Sequence, residues 1–183
     1  SRKTDVRLLV ALSLVVSVGS GEIERAQALA RARDAERQQF HKRYVFALND
    51  PTVTEVEVVT EFRRLVLIEE EHVLRGDFMF TRSLRSAEEA LAPWRGRVTL
   101  RAHVRFSPLN VFVSAPGYVF AVGAATQGAP LQPLDTKLTE QYSVPFKARD
   151  GRTLTSLIGA DLEASVPTAA VASGQRAVGV VLD

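Results

Sequence analysis

The chain has 183 residues, a net charge of +2 at neutral pH and a hydrophobic content of 46%, which is the composition of an ordinary folded domain and excludes a wholly disordered chain. Its 23 basic residues are mixed with 21 acidic ones, which argues against a nucleic-acid-binding protein because such proteins concentrate basic residues on one face. The sequence contains no cysteine, and this excludes disulfides, thiolate metal sites and a cysteine nucleophile.

The N-terminal part carries an apolar run over residues 8–18 that only two serines interrupt. Basic residues precede it, namely Arg2, Lys3 and Arg7. A basic leader, an apolar block of this length and then small residues are typical of a secretory signal. We therefore predict that residues 1–21 are a signal-like or anchor segment, and that the protein is in the cell envelope, periplasmic or extracytoplasmic. Two alternatives are a retained anchor that contacts the membrane through residues 8–18, and a buried core element of a soluble domain.

Residues 22–46 contain neither glycine nor proline and are rich in Ala, Arg, Glu and Gln, which favour helix. Apolar side chains are sparse in the middle of this segment and return as aromatic residues near its end. The pattern predicts one long helix, and we assign residues 22–50 to a helical stalk that is solvated in its middle. A surface helix that packs at one end is the alternative. Asp50 and Pro51 predict a turn after it.

Residues 52–59 are typical of a strand or of the approach to a helix. Residues 61–77 have a helical pattern, with a strand over residues 65–68 as the alternative. Gly76 follows the last apolar residues, where a helix often ends with a glycine. Within this helix Glu69 and His72 have the Glu-x-x-His spacing of di-iron bundles, but those proteins need the motif twice, and it occurs once here. We therefore predict that the acidic run 69–71 is a solvated face and that the protein has no metal site.

A short helix is predicted after this segment. Ser86 and Glu89 have the spacing of a capping box, which predicts a helix that begins at Ser86 and ends near Ala92, before Pro93. Trp94 follows as the single tryptophan of the chain. We expect its ring to pack against the core, with stacking on a ligand as the alternative.

Residues 97–106 alternate between apolar and polar side chains, which is typical of a half-buried strand. The polar face of this strand carries the densest basic stripe of the sequence. Its members are Arg97, Arg101, His103 and Arg105. The stripe, together with Trp94, forms our candidate binding site for a ligand or partner, since arginine contacts anionic groups through two hydrogen bonds at once. An ordinary face that is balanced by acids on neighbouring strands is the alternative.

The remaining sequence predicts further short strands separated by turns. Pro116 and Gly117 mark a turn, residues 126–139 an open loop, and Asp150 with Gly151 a tight hairpin. Strands are predicted over residues 110–114, 118–122, 142–148, 153–157, 161–166 and 176–182. We infer an α+β fold with an N-terminal apolar segment, a long helix, short middle helices and an antiparallel β-sandwich-like part over residues 97–183. Residues 51–183 are predicted to form one α+β domain.

The sequence lacks the glycine-rich, nucleophile-elbow and His-Glu-x-x-His signatures of common enzymes. We therefore expect a non-catalytic envelope module without catalytic residues, cofactor or metal, whose β-rich part binds or braces a protein partner or an anionic envelope component, and not nucleic acid. The alternative is a small soluble enzyme or ligand-binding domain with a pocket between helix and sheet. That pocket would be lined by Glu69, His72, Arg101 and His103.

Overall fold

The computed structural model describes residues 8–10, 18–48, 50–107, 110, 114–115, 117–124, 133–147, 149–169 and 176–182. These residues form a mixed helix and sheet structure, so the predicted α+β class is confirmed. The helices are α1 (Ser20–Ala30), α2 (Asp34–Lys42), α3 (Glu61–Leu74) and α4 (Leu84–Leu91), with 3-10 turns at Phe80–Arg82 and Ala92–Trp94.

The strands are β1 (Leu8–Val10), β2 (Val45–Ala47), β3 (Val53–Val59), β4 (Arg97–Arg105), β5 (Tyr118–Ala124), β6 (Asp135–Tyr142), β7 (Phe146–Lys147), β8 (Thr153–Leu154), β9 (Leu157–Pro167) and β10 (Arg176–Leu182). In the described part of the chain, the main sheet is antiparallel with five strands in the order β2-β3-β4-β9-β6. A second sheet has the order β1-β10-β5, and β7 pairs with β8.

The predicted continuous helix over residues 22–46 is wrong, because a turn at residues 31–33 separates α1 from α2. Helix α1 is not a free stalk, since Ile23 and Ala26 are buried in one core with residues of α3 and α4. The turn lets α2 fold back, so that Phe40 packs on Phe62 with ring centroids 5.8 Å apart. In one straight helix Phe40 would lie about 15 Å beyond Ala30, out of reach of this core.

Both middle helices occur in the predicted segments, although their ends differ from the prediction. Thr60 precedes α3 and its hydroxyl accepts a hydrogen bond from the backbone of Arg63 at 3.2 Å. Beyond α3, Gly76 adopts a φ of 71°, a conformation that favours glycine. The predicted start of α4 is wrong, because the capping residue is Ser83, whose hydroxyl accepts from the backbone of Ser86 at 3.1 Å.

Strand β4 alternates as the sequence predicts and lies in the centre of the main sheet. Its buried apolar side chains point to one face, which we call the apolar face. They are Val98, Leu100, Ala102 and Val104. The opposite face carries the odd-numbered residues of β4 and is called the polar face. Arg63 at the start of α3 reaches this face and contacts Glu57 there.

The β-rich part confirms some predictions and corrects others. Gly151 has a φ of 82° at the tip of a hairpin that pairs β7 with β8, as Asp150 and Gly151 predicted. Strand β10 has the predicted bounds. The open loop over residues 126–139 is wrong in its last part, because β6 begins at Asp135 and pairs with β9. The predicted strand 142–148 is interrupted between Tyr142 and β7, and most of the predicted strand 110–114 lies outside the described residues.

Part of the apolar N-terminal run is described. Its residues 8–10 form β1 and pair antiparallel with β10, and Val18 is buried against α1. Residues 11–17 of the run lie outside the described part of the chain. Among the described helices, none has both the length and the apolar character that crossing a membrane requires.

Candidate functional site

The polar face of the main sheet gathers charged residues from adjacent strands. The register places Glu55 of β3 opposite His103, and Glu57 opposite Arg101. On the other side of β4, His103 lies opposite Asp161 of β9 and Arg101 lies opposite Glu163. We call the group the polar cluster; it consists of Glu55, Glu57, Arg101, His103, Asp161 and Glu163. Because side chains opposite one another in a sheet lie close together, pairing alone brings acids and bases into contact.

His103 lies at the centre of the polar cluster, and its two ring nitrogens have different surroundings. Nδ1 lies 2.6 Å from Oδ1 of Asp161, whose second oxygen accepts a hydrogen bond from Gln141 at 2.8 Å. Nε2 lies 3.5 Å from Oε1 of Glu57 and 3.7 Å from Oε1 of Glu55. Nε2 is buried and, in the described structure, has no hydrogen-bond partner.

The charges of this group shift one another's ionisation. The pKa of Glu57 is lowered to about 2, chiefly because its carboxylate faces the imidazole of His103. Burial acts in the opposite direction, and the charges of Arg63 and Arg101 lower the pKa further. The carboxylate of Glu57 in turn raises the pKa of His103 above 6.5; burial acts in the opposite direction and Asp161 adds to the rise. The cluster therefore stabilises a charged imidazole between carboxylates.

The two oxygens of Glu57 serve different neighbours. Arg63 is only 4% exposed at its side chain, and it donates to Oε2 of Glu57 at 3.2 Å and to the carbonyl of Val58 at 2.9 Å. Arg101 lies 3.7 Å from the same oxygen and pairs with Glu163 at 3.0 Å. The arginines thus face Oε2, and Oε1 is left on the side of His103 and Glu55.

This geometry identifies residues that could hold a metal ion. One ligand atom from each of Glu55, Glu57 and His103 lies within 4.8 Å of the other two. Sequence reasoning missed the group. The signal it could have used was Glu55 and Glu57 two positions apart in a strand, which places both on one face, but nothing local indicated that β4 would pair beside them.

The structure places the predicted basic stripe on the polar face, where acids accompany most of it. Arg97 pairs with Asp135 at 2.9 Å, and Arg101 and His103 have the acidic partners given above. Arg105 is exposed. Trp94 is half-buried and its ring lies 4.0 Å from the guanidinium carbon of Arg64. Ion pairing lowers the attraction of this stripe for anions, and its binding role stays a prediction.

Among the described residues, no hydrogen bond or ion pair joins Glu69 and His72 of α3 to Arg101 and His103 of β4, the four residues proposed to line an alternative pocket. Glu69 is fully buried, so its prediction as part of a solvated face is wrong; its Oε1 accepts from Gln27 at 3.2 Å. His72 pairs with Asp77 at 3.0 Å and stacks on Phe80. Arg101 and His103 belong to the polar cluster instead. A groove of about 470 Å³ lies between α1 and α2, lined by α1 and α2 side chains such as Arg25, Leu29 and Gln39.

The hairpin formed by β6–β7 and β8–β9 carries a second feature. Exposed apolar side chains occupy even-numbered positions along both of its arms. We call them the hairpin strip: Tyr142, Val144, Phe146, Leu154 and Ile158. Phe146 and Leu154 are directly opposite each other, and Tyr142 lies opposite Leu157 beyond a register shift between Gln141 and Tyr142. Next to the strip, Leu157 is buried in the core of the main sheet.

The polar cluster and the hairpin strip are thus two candidate sites of different chemistry. Comparison of the chain with models of known protein families, with curated proteins and with solved structures finds no match.

Proposed function

We propose that the protein is a non-catalytic module of the cell envelope that binds a protein partner through the hairpin strip. The observation that carries this proposal is the exposure of large apolar side chains along both arms of the hairpin, with Val144 84% exposed and Phe146 47% exposed. Groups of exposed apolar side chains on folded proteins mark interaction sites. Burying them against a partner contributes roughly 25 cal/mol for each Å² removed from water.

The surroundings of the hairpin strip suit a protein partner. Exposed charged residues lie around the tip of the hairpin. They are Lys147, Arg149, Asp150 and Arg152. An apolar centre with a charged rim is the usual arrangement of a protein interface, because the centre supplies the binding energy and the rim remains solvated.

The polar cluster does not favour catalysis by a His-Asp pair. In such enzymes the second ring nitrogen of the histidine takes a proton from a hydroxyl or thiol nucleophile. Among the described residues, Nε2 of His103 faces the carboxylates of Glu55 and Glu57 instead. This arrangement supports a non-catalytic protein over the enzyme alternative.

The envelope location is supported by the order of the N-terminal sequence, in which basic residues precede the apolar run 8–18. Fractionation of producing cells and N-terminal sequencing test it. An extracytoplasmic or membrane-bound product supports the location, and a chain found entirely in the cytoplasm contradicts it.

We also propose that the second sheet packs over the apolar face as in a sandwich, since that face is buried over β4.

Photo-crosslinking tests the partner proposal. A benzophenone side chain is placed at Val144 in the full-length protein, and cells that produce it are irradiated. Met79 is the matched control, because it is an equally exposed apolar residue, also at 84%, outside the hairpin. We expect one discrete protein to be linked from position 144 and not from position 79.

Binding measurements with the linked protein complete the test. Val144→Ser and Phe146→Ser are each expected to weaken its affinity at least tenfold, and Met79→Ser to change it less than twofold. Circular dichroism shows that the variants remain folded, as substitutions at exposed positions should. Equal affinities for the three variants, or identical crosslinks from positions 144 and 79, would contradict the proposal.

A further inference from the structure

The polar cluster presents donor atoms at the spacing of a metal site, a property separate from partner binding. With bonds of about 2.0–2.1 Å, two ligands of a tetrahedral zinc ion lie about 3.4 Å apart. Nε2 of His103 lies 3.5 Å from Oε1 of Glu57 and 3.7 Å from Oε1 of Glu55. A small inward movement of side chains would bring these atoms to ligand distances.

The second ring nitrogen of His103 has the partner that metal-binding histidines usually have. Such histidines donate the N–H opposite the metal to a carboxylate, which fixes the ring and selects the nitrogen that binds. Asp161 lies 2.6 Å from Nδ1 and is itself held by Gln141. The buried Nε2, which has no hydrogen-bond partner in the described structure, is thereby directed at Glu55 and Glu57.

The neighbouring arginines leave room for a cation. Arg63 and Arg101 both contact Oε2 of Glu57, the oxygen that points away from His103. Glu55 is 40% exposed at its side chain, so the remaining coordination positions open towards water. The three donor residues come from adjacent strands of a rigid sheet, with Glu55 and Glu57 on β3 and His103 on β4.

We propose that Glu55, Glu57 and His103 bind one divalent transition-metal ion of the Zn²⁺ class, with Asp161 orienting His103. An imidazole nitrogen with two carboxylates suits Zn²⁺ or Mn²⁺, whereas Mg²⁺ and Ca²⁺ prefer oxygen ligands alone. The ion would displace the proton that the charged imidazole carries on Nε2, releasing it to water, and would join β3 to β4.

Calorimetric titration of the full-length protein with ZnCl₂ tests the proposal, with MgCl₂ as the comparison ion. We expect one Zn²⁺ per chain and at least tenfold weaker binding of Mg²⁺. Glu55→Gln and His103→Gln are each expected to weaken the affinity for Zn²⁺ at least tenfold. Asp161→Asn should weaken it by about 10- to 100-fold, the usual effect of losing a carboxylate behind a metal-binding histidine.

His72→Gln is the matched control. His72 also has a carboxylate partner, Asp77, but does not belong to the three-residue group. Its loss should change the zinc affinity less than twofold. Nitrogen NMR of the imidazoles gives a readout independent of stability. Zn²⁺ should shift the Nε2 signal of His103 and leave in place the signals of His72 and of His41, the third histidine of the chain.

Three results would overturn the proposal. The first is the absence of zinc binding by the folded protein, and the second is binding that Glu55→Gln and His103→Gln leave unchanged. The third is a zinc-induced shift at His72 or His41 without one at His103. Because Glu55 is partly exposed, its variant should fold, so lost binding in that variant reports on the site and not on the fold.

Discussion

Nδ1 of His103 lies 2.6 Å from Oδ1 of Asp161, and this contact joins β4 to β9 across the polar face of the main sheet. The two side chains are about a quarter exposed. A hydrogen bond with a charged partner contributes roughly 1.5–3 kcal/mol where it is protected from water, and less where solvent screens it.

Asp161→Asn is expected to lower the free energy of unfolding by about 1 kcal/mol, because the amide keeps the shape of the side chain and loses its charge. Urea denaturation at pH 7 with EDTA present measures this in the metal-free protein. Asp135→Asn is the control, since Asp135 pairs with Arg97 at a more exposed position, and its effect should stay below about 0.5 kcal/mol. Equal losses in both variants would contradict the importance of the His103 contact.

Arg63→Met is expected to lower the free energy of unfolding by about 3 kcal/mol, because it leaves the carboxylate of Glu57 and the carbonyl of Val58 without their buried donor. Urea denaturation midpoints measure the loss. Arg85→Met is the matched control: Arg85 is 87% exposed and pairs with Glu89 one helical turn away. The control should change stability by less than about 0.5 kcal/mol, and a similar small effect of Arg63→Met would refute the prediction.

Gly159→Ala is expected to lower the free energy of unfolding by more than about 2 kcal/mol, because two backbones approach closely at this glycine. A Cβ atom at Gly159 would lie 2.4 Å from the carbonyl oxygen of Val104, so β4 and β9 would have to separate. Gly21→Ala is the comparison, since a Cβ there meets no atom within 4 Å and α1 should gain up to about 1 kcal/mol. Thermal unfolding should show a lower melting temperature for Gly159→Ala and a higher one for Gly21→Ala than for the wild type.

Glu69→Gln is expected to weaken the dependence of stability on pH. Burial raises the pKa of Glu69 above 4.5, despite the hydrogen bond from Gln27. A carboxyl with a raised pKa releases its proton first in the unfolded chain. The stabilisation of the folded state by the protonated carboxyl of Glu69 is therefore complete below pH 4.5, and it declines as the pH rises towards the folded-state pKa. Above that range the folded protein buries a charged carboxylate.

Urea denaturation at a series of pH values from 4 to 8 measures this effect. The wild-type chain should lose stability relative to Glu69→Gln as the pH rises through the lower part of this range. Glu88→Gln, at an exposed position of α4, serves as the control and should follow the wild type. Parallel pH profiles for the wild type and Glu69→Gln would show that the buried carboxyl has no such role.

Local patterns predicted several elements correctly. The alternation of residues 97–106 predicted β4, the apolar positions before Gly76 predicted α3, and Asp150 with Gly151 predicted the hairpin tip. Each of these depends on neighbours in sequence: side-chain alternation in a strand, or a positive φ at a turn. The predictions that were wrong depend instead on contacts between residues far apart in the sequence. The break between α1 and α2 allows Phe40 to pack on Phe62, a contact between segments that no local pattern reveals.

The candidate sites show the same division. The sequence by itself determined that Arg101 and His103 share one face of their strand, and that Glu55 and Glu57 can share one face of a different strand. Only the tertiary structure decided that these strands are neighbours and that β9 brings Asp161 to the other side of His103. The physical reason is that alternation specifies which face a side chain occupies, whereas the partner across the sheet depends on pairing between residues far apart in the chain.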